Sequence, residues 1–492
     1  MLTINIFFPL FTAFIILLFP KGKGKAIRLT AFSGSLITLI LSILILAGYD
    51  ISRGGMQWIT DIPWIPSINA GYTIGVDGLS LSVILLTDIL MASVMLYVLN
   101  ENDKAKEHAF LFLLMHTGLL GLFSSMDLLL FYLFFEVGLV PMYFIIGIFG
   151  SERRKYAAMK FFLYTRAGSL AMLISFLALY LSVEPHTFSL QKIVQAQPFA
   201  GSVQTAGFVM LGMLIGFGVK LPTFPIHNWL PDAHVEAPTE GSVILAGVQL
   251  KMGAYGILRV MIPALPFAVS HYSLWLILLG IFSMIYAALA ALAQKDLKRL
   301  IAYTSINHMG YVMAAAGIWG LTQNVSIKQL ALNGAAYQII SYGLLTGGMF
   351  FIAGMLQHKA GTRDINRFGG LLGVVPVFSA VLGILAFASL GLPGFSGFIA
   401  EFQVIGASVG TNIWSAVGII AGLILMTALY LKIVVNMIFG KPPDDMPEVS
   451  ELSGRNNFIV TALILISLFL GILPGYLTGL IESGTKLLTA IL

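Results

Sequence analysis

Long apolar runs separated by short polar or basic loops dominate the chain. A helix needs about 20 mostly apolar residues to cross the hydrocarbon core of a bilayer. The pattern predicts an all-α polytopic membrane protein, with the two longest connections, 49–76 and 183–203, partly helical at the surface. The fourteen predicted spans are 2–20, 27–48, 77–100, 109–125, 127–149, 158–182, 204–229, 238–262, 273–294, 299–319, 330–357, 374–408, 413–438 and 456–480.

Two of these spans are interrupted. In span seven, Pro222 and Pro225 follow directly after Lys220, and span twelve is broken at LPGFSG, shortly before Glu401. Proline removes a backbone donor and prevents a regular helical turn. Freed backbone groups at membrane depth are tolerated only against protein or a water-filled cavity. A broken helix beside an ionisable residue is therefore typical of an ion pathway.

The two interrupted spans lie five apart, which indicates an internal repeat. A repeat with an odd number of spans inserts with inverted topology. We therefore expect a single membrane domain, 1–492, with two inverted five-helix repeats at 109–262 and 273–438. Flanking helices are expected in 1–100 and 456–492.

Basic residues are concentrated in the loops after odd-numbered spans. Cytoplasmic loops carry an excess of Lys and Arg, so both termini are expected on the outer side of the membrane. The opposite loops hold only Arg53, Lys192, Lys328 and Lys486. The residues on the basic side are Lys21, Lys23, Lys25, Arg28, Lys104, Lys106, Arg153, Arg154, Lys155, Lys160, Lys295, Lys298, Arg299, Lys359, Arg363, Arg367, Lys441 and Arg455.

Composition supports the membrane assignment and excludes several other classes. Hydrophobic residues make up 58% of the chain and charged residues only 10%, against about 25% charged residues in soluble domains. The basic charge lies in short loops and does not indicate nucleic-acid binding. The chain has no cysteine, which excludes disulfides, thiolate iron–sulfur clusters and cysteine zinc sites within it. It has neither a phosphate-binding loop nor a dinucleotide fingerprint.

Several ionisable residues fall inside or at the ends of the predicted spans. Such a charge costs at least about 2.5–3.5 kcal/mol at a helix centre, so a set of them indicates function. The alternative is that each forms an ion pair that holds helices together. The candidates are Asp77, Asp88, Asp127, Glu136, Arg166, Lys220, Lys251, Arg259, Glu401 and Lys432, with His116, His308 and Tyr342 as further polar groups.

Proton transfer is the chemistry that these residue types favour. Burial and a neighbouring carboxylate act on a lysine in opposite directions, which can bring proton exchange close to neutral pH. We expect Glu136 beside Lys220 as a switchable pair. His308 is a candidate intermediate carrier, because free histidine titrates at about pH 6.5; the alternative is a helix-packing hydrogen bond.

His227, Asp232, His234 and Glu236 share the loop after span seven. The cluster could suggest a metal site, but its prolines prevent a helical face of ligands. We therefore expect no metal, and instead a proton mouth or a packing loop that includes His234.

Four sequence stretches resemble one family. They are VKLPTFPIHNWLPDAHVEAPTEGSVILAGVQLKMGAYGILR, DLLLFYLFFEVGLVPMYFIIG, DLKRLIAYTSINHMGYVMAA and LPGFSGFIAEF. They resemble the antiporter-like subunits of respiratory complex I, a family that includes subunits of cation/proton antiporters and of membrane-bound hydrogenases. The resemblance covers nearly the whole chain.

The resemblance implies a hydrated polar axis through Glu136, Lys220, Lys251, His308 and Glu401. It implies a proton-translocating subunit of NADH–quinone oxidoreductase in a bacterial plasma membrane, with two sister antiporter-like subunits as partners. FMN, iron–sulfur clusters and quinone are expected in partner subunits and no cofactor in this chain. The alternative is a sodium/proton antiporter or hydrogenase subunit, in which a lysine is more usual than Glu401.

Two positions depart from the family pattern. Tyr342 stands where the family often has a histidine, and Arg166 where it more often has an uncharged residue. A tyrosine relays protons through its hydroxyl but seldom stores a charge. We list Tyr342, Arg166 and His234 as auxiliary candidates; the sequence gives no role for Arg166.

Overall fold

The computed structural model describes residues 1–20, 22–101 and 103–489, and within them helices occupy all fourteen predicted spans. Lys21, predicted in the first basic loop, and the last three residues of the C-terminal flanking segment lie outside the described residues. The helices are Leu2–Leu18, Gly24–Ala47, Gly78–Tyr97, Ala105–Ser124, Leu128–Phe149, Arg154–Leu181, Val203–Lys220 with Trp229–Glu236, Thr239–Ala264, Ser273–Leu292, Leu297–Leu321, Val325–Ala360, Pro376–Ser389 with Ser396–Val409, Ile413–Phe439 and Gly454–Ile472.

Eleven helices of the described chain are long and apolar enough to cross a membrane. Span one and both halves of span twelve are shorter apolar helices, and span ten is the helix Leu297–Leu321. The all-α membrane fold is therefore confirmed, whereas the count of fourteen spans and the two inverted repeats stay predictions. Smaller elements in the connections are the helices Leu190–Ala196, Pro266–His271, Leu371–Val374 and Pro474–Thr489 and the 3₁₀ turns Pro66–Ile68 and Ile365–Arg367.

The two long connections differ from each other. Residues 183–203 contain a short helix, as predicted, but 49–76 form an antiparallel hairpin of strands β1 (Gln57–Ile65) and β2 (Ala70–Val76). The prediction of partial helix there is thus wrong but for the 3₁₀ turn between the strands. Both strand sequences, QWITDIPWI and AGYTIGV, are rich in the β-branched and aromatic residues that favour strands.

Spans eight and eleven form the interior of the bundle. Their most apolar stretches are 100% buried, against 33% for spans two and fourteen. A helix that is apolar on all sides and enclosed by protein must direct its polar residues at other helices. Span eight is also irregular, because π-helical turns at Leu245–Gln249 and Ile257–Met261 interrupt its α-helical hydrogen bonding.

The breaks in spans seven and twelve are both present. Span seven stops at Lys220, and the indole of Trp229 donates to the freed carbonyl of Val219 at 3.0 Å. Span twelve stops at Ser389 and resumes at Ser396. Between these residues Gly391 has a φ of +80°, a conformation that favours glycine.

The basic loops meet on one face of the bundle, around the loop that precedes span eight. The Arg153 amide donates to the Glu236 carboxylate at 2.9 Å. Lys298 donates to the Ala237 carbonyl at 3.1 Å, and Arg363 donates to the Val235 carbonyl at 2.6 Å. The β1–β2 hairpin lies at the opposite ends of the spans, where Thr73 accepts from the Met126 amide at 2.9 Å.

Candidate functional site

Glu136 pairs with Arg166 and not with Lys220. One Glu136 carboxylate oxygen lies 2.5 Å from Arg166 Nη1, and the other is buried without a hydrogen-bond partner among the described residues. The Arg166 side chain is 42% exposed on the outside of the bundle. The expected direct contact between Glu136 and Lys220 is therefore not formed, because an arginine on the next span occupies the carboxylate.

Lys220 is completely buried at the last turn of the first half of span seven. Its ammonium has no hydrogen-bond partner among the described residues and lies over the rings of Phe135 and Phe161, at 5.6 and 5.1 Å. Aromatic faces attract a cation, but they cannot take up its proton. Lys220, the last helical residue before the break, thus has only ring contacts around its ammonium among the described residues.

Lys251 sits directly after a π-helical turn of span eight. A π turn leaves a carbonyl free of its usual partner, and the Lys251 ammonium donates to the carbonyl of Ala246 at 2.8 Å. Span eight packs closely against the end of the first half of span seven, since a Cβ on Gly253 would lie 3.2 Å from the Lys220 Cβ. The two lysines therefore lie on helices that touch each other, both within the first predicted repeat.

Tyr342 lies between Lys251 and His308. The Lys251 ammonium is 4.5 Å from the centre of the Tyr342 ring, and the His308 ring stacks on it at 4.3 Å. The tyrosine hydroxyl is hydrogen-bonded to Thr304 at 2.8 Å and to Ser305 at 3.1 Å. The ring, and not the hydroxyl, thus faces the lysine, so the expected hydroxyl relay has no direct contact with Lys251.

Glu401 is the last residue of the row, which consists of Glu136, Lys220, Lys251, Tyr342, His308 and Glu401. Its carboxylate lies 3.5 Å from His308 Nδ1, and both side chains are buried. The amide of Gln338 donates to the same His308 nitrogen at 3.1 Å, while His308 Nε2 is buried without a partner among the described residues. A Cβ at Gly391 would collide with the Glu401 carboxylate, so the break before this residue makes room for it.

The loop after span seven does not gather its polar residues into one site. Asp232 binds Lys160 at 2.6 Å, and Glu236 binds the Arg153 amide. His227 and His234 have ring nitrogens without hydrogen-bond partners among the described residues. No three metal-ligating side chains come together within the part of the chain that the structure describes. His234 stacks on Phe350 at 4.5 Å.

Sequence reasoning missed the neighbours that orient His308 and Tyr342. Gln338, Thr304 and Ser305 are uncharged and lie in apolar spans, so nothing in the sequence marks them. Asp88 and His116, by contrast, were noted only as separate ionisable groups, yet they form a buried pair at 2.6 Å. Their equal depth in neighbouring antiparallel spans is the signal that could have paired them.

The remaining charged residues of the spans have structural partners. The carboxylates of Asp77 and Asp127 cap the first turns of spans three and five, as expected for residues at span ends. Asp77 also forms an ion pair with Arg259. Lys432 donates to the carbonyl of Leu292 at 2.9 Å, at the end of span nine. These groups lie apart from the row that ends at Glu401.

Known proteins agree with this architecture. The family model described as NADH:quinone oxidoreductase/Mrp antiporter, TM, matches residues 125–427. NADH-quinone oxidoreductase subunit M of Rhodobacter capsulatus is 37% identical over 98% of this chain and 94% of its own length. The chain belongs to the NADH:quinone oxidoreductase/Mrp antiporter family. The family match includes every residue of the row from Glu136 to Glu401.

Other relatives and solved structures place the chain within this family. F(420)H(2) dehydrogenase subunit M of Methanosarcina mazei is 36% identical over 97% of this chain and 96% of its own length. A chain of respiratory complex I from Thermus thermophilus with bound NADH matches with a TM-score of 0.88 and 29% identity, covering 100% of this chain and 99% of that one. A chain of the Mrp complex of a Dietzia species, with a TM-score of 0.85 and 19% identity over 99% of each chain, shares the fold.

Proposed function

We propose that this chain moves protons across the membrane as a subunit of the membrane arm of an NADH–quinone oxidoreductase. The observation that carries the proposal is the buried row of Lys251, Tyr342, His308 and Glu401, in which neighbours contact each other inside the bundle. Three relatives at 37–39% identity that are named for NADH-quinone oxidoreductase carry the same subunit letter, M. Electron transfer takes place in partner subunits, which hold FMN, iron–sulfur clusters and quinone.

The second half of the row moves the proton in two steps. Lys251, held by the Ala246 carbonyl, gives up its proton toward His308 by way of water beside the Tyr342 ring. Gln338 donates to His308 Nδ1, so this nitrogen is an acceptor in the structure and Nε2 carries the hydrogen. When Gln338 releases Nδ1, a proton on that nitrogen faces Glu401 at 3.5 Å. Glu401, in the outer half of span twelve, accepts it and releases it on the outer side.

The first half of the row supplies the switch. Glu136 is bound to Arg166 in this structure, and Lys220 has no ion-pair partner within the described chain. When Glu136 leaves Arg166 for Lys220, the ammonium form of Lys220 is stabilised; when it returns, that stabilisation is lost. An opposite charge at about 4–6 Å changes a pKa by roughly 1–3 units, which is enough to load or release a proton.

Glu136→Gln and Lys220→Ala test the switch. Each variant is expected to assemble and to lower proton translocation per electron about tenfold, since a charge effect of one pKa unit corresponds to a factor of ten. Proton uptake into vesicles that contain the whole complex, measured with NADH oxidation, gives the ratio. Glu107→Gln, a change at an exposed glutamate, is the control and should pump normally. A normal ratio in both test variants would disprove the switch.

A subunit of a sodium/proton antiporter is the second candidate, favoured by the fold shared with the Mrp complex. The proteins that co-purify with the tagged chain decide between the two. We expect two sister antiporter-like subunits together with flavin and iron–sulfur subunits. Recovery of small antiporter subunits without flavin and iron–sulfur subunits would contradict the oxidoreductase assignment and support the antiporter.

We further propose that the membrane is a bacterial plasma membrane with both termini outside. The clustering of the basic loops on one face supports this orientation. Because the chain has no cysteine, Ser151→Cys should react with a membrane-impermeant maleimide in inside-out vesicles and not in intact cells. Ser52→Cys, exposed near the hairpin, should show the reverse. Labelling of Ser151→Cys from outside intact cells would show that the orientation is the opposite of the one proposed.

A further inference from the structure

A polar cavity opens at the face that carries the basic loops. It has a volume of about 470 Å³ and lies among the ends of spans two, three, four, five, eight, ten and eleven. Glu101, Lys104 and Arg154 line its exposed part, and Glu240 and Lys298 line its buried part. Partial desolvation and then the negative charge of Glu240 raise the pKa of the Glu101 carboxyl. None of the residues that line this cavity belongs to the row.

Three buried side chains are linked in its wall. Arg28 Nη1 lies 2.7 Å from His108 Nδ1, and His108 Nε2 lies 2.9 Å from a Glu240 carboxylate oxygen. Arg28 also donates from Nε to the backbone carbonyl of Glu101 at 2.9 Å. The three residues come from different spans, and each is at most 6% exposed.

The chemistry of arginine determines which atoms donate and which accept in the contacts among Arg28, His108 and Glu240. A guanidinium has only donors, so His108 Nδ1 must be the acceptor and carries no hydrogen. The neutral imidazole then has its hydrogen on Nε2, which donates to Glu240. His108 cannot take up a second proton without losing Arg28. Glu240 is therefore the member of the group that can gain and lose a proton, while His108 and Arg28 hold it in position.

The buried end of the cavity lies at the first turn of span eight, the span that also carries Lys251. Lys298, which lines the cavity, donates to the carbonyl of Ala237, and 237–240 form part of the cavity wall. His234 lies one helical turn before Ala237, and its ring stacks on Phe350 of span eleven, the helix that carries Tyr342. Its two ring nitrogens have no hydrogen-bond partner within the described residues. An imidazole without a hydrogen-bond partner in the described chain thus lies beside the cavity wall and against the helix that carries Tyr342.

We propose that Glu240 is the group through which protons enter this chain, collected from the cavity on the side of the basic loops and passed by way of His234 to Lys251. His108 and Arg28 are positioning residues for Glu240. The inference rests on the proposed function, because it supplies the protons that the row translocates. The competing explanation is that Glu240, His108 and Arg28 only join three helices.

Two substitutions of Glu240 separate these explanations. Glu240→Gln keeps an oxygen that can accept from His108 but cannot carry a proton. We expect it to lower proton translocation about 10²-fold, the lower end of the effect of a positioned proton-transfer group. Glu240→Asp, which keeps the carboxyl group, should retain part of the activity. Glu152→Gln, at an exposed glutamate of the neighbouring loop, is the matched control and should pump normally. A purely structural role predicts that Gln is tolerated at least as well as Asp.

Access to the cavity is tested separately. Glu240→Cys places the only thiol of the chain in the cavity wall. It should react with a membrane-impermeant maleimide in inside-out vesicles and be protected in intact cells. Failure to react from either side, or reaction from the outside alone, would overturn the proposed entry route.

Lys251→Met, measured in the same vesicles, distinguishes failure of this inference from failure of the proposed function. If Lys251→Met abolishes pumping while Glu240→Gln pumps normally, only the entry role of Glu240 is wrong. If Lys251→Met also pumps normally, the proposed translocation through the row is wrong. Loss of pumping in both variants, with partial activity in Glu240→Asp, is the result we expect.

Discussion

Lys251→Met is expected to lower proton translocation by about 10²-fold or more, the effect of removing a positioned proton carrier. Lys251 begins the second half of the row, and its ammonium contacts both the Ala246 carbonyl and the Tyr342 ring. Methionine has a similar length and cannot carry a proton. It leaves one buried carbonyl unpaired, at a cost of about 1–3 kcal/mol, so assembly must be checked alongside the proton-to-electron ratio.

A second substitution separates proton transfer from a fixed charge. Arginine keeps the positive charge, but a guanidinium does not release its proton in proteins. Lys251→Arg should therefore fail to pump even where the complex assembles. Lys432→Met is the matched control, because this lysine binds a carbonyl at the end of span nine, outside the row, and it should pump normally. Pumping by Lys251→Arg would show that Lys251 contributes a fixed positive charge and does not transfer a proton.

Glu401→Gln is expected to have an effect of the same size, about 10²-fold or more on proton translocation. Glu401 lies at the end of the row, and its only neighbour in the row is His308, at 3.5 Å. The change keeps the size and the hydrogen-bonding oxygen of the side chain but removes the ability to gain a proton. The measurement is proton uptake by vesicles that contain the assembled complex.

The alternative for Glu401 is a helix-packing role, and it makes the opposite prediction. If Glu401 only joins span twelve to span ten, glutamine should be nearly silent and aspartate, which is shorter, should be worse. If Glu401 carries a proton, aspartate should retain part of the activity. Glu482→Gln provides the control: this carboxylate binds Asn333 at 2.8 Å and lies outside the row. Wild-type pumping by Glu401→Gln would remove Glu401 from the pathway.

The helices and their breaks could be predicted because lipid imposes simple rules. A span must be apolar over its whole length, and a proline or glycine interruption needs protein or water beside it. These rules placed helices in the right segments and put Lys220 and Glu401 next to breaks. They do not apply outside the membrane, which is why the hairpin in 49–76 was not recognised.

Partner choice could not be predicted from the sequence. Two buried charges on different spans are assigned to each other only when the rotation of both helices is known. Glu136 was expected beside Lys220, but its carboxylate forms an ion pair with Arg166 on the neighbouring span. The orientation of Tyr342 could not be predicted for the same reason. Its hydroxyl is hydrogen-bonded to Thr304 and Ser305.

Span eleven, Val325–Ala360, is one unbroken helix of 36 residues. At about 1.5 Å per residue it is roughly 54 Å long, well beyond the hydrocarbon thickness of about 30 Å. Tyr342 lies at its midpoint. Its contacts with Lys251 and His308 therefore lie about 27 Å from either end of the helix, as far from both membrane surfaces as this span allows.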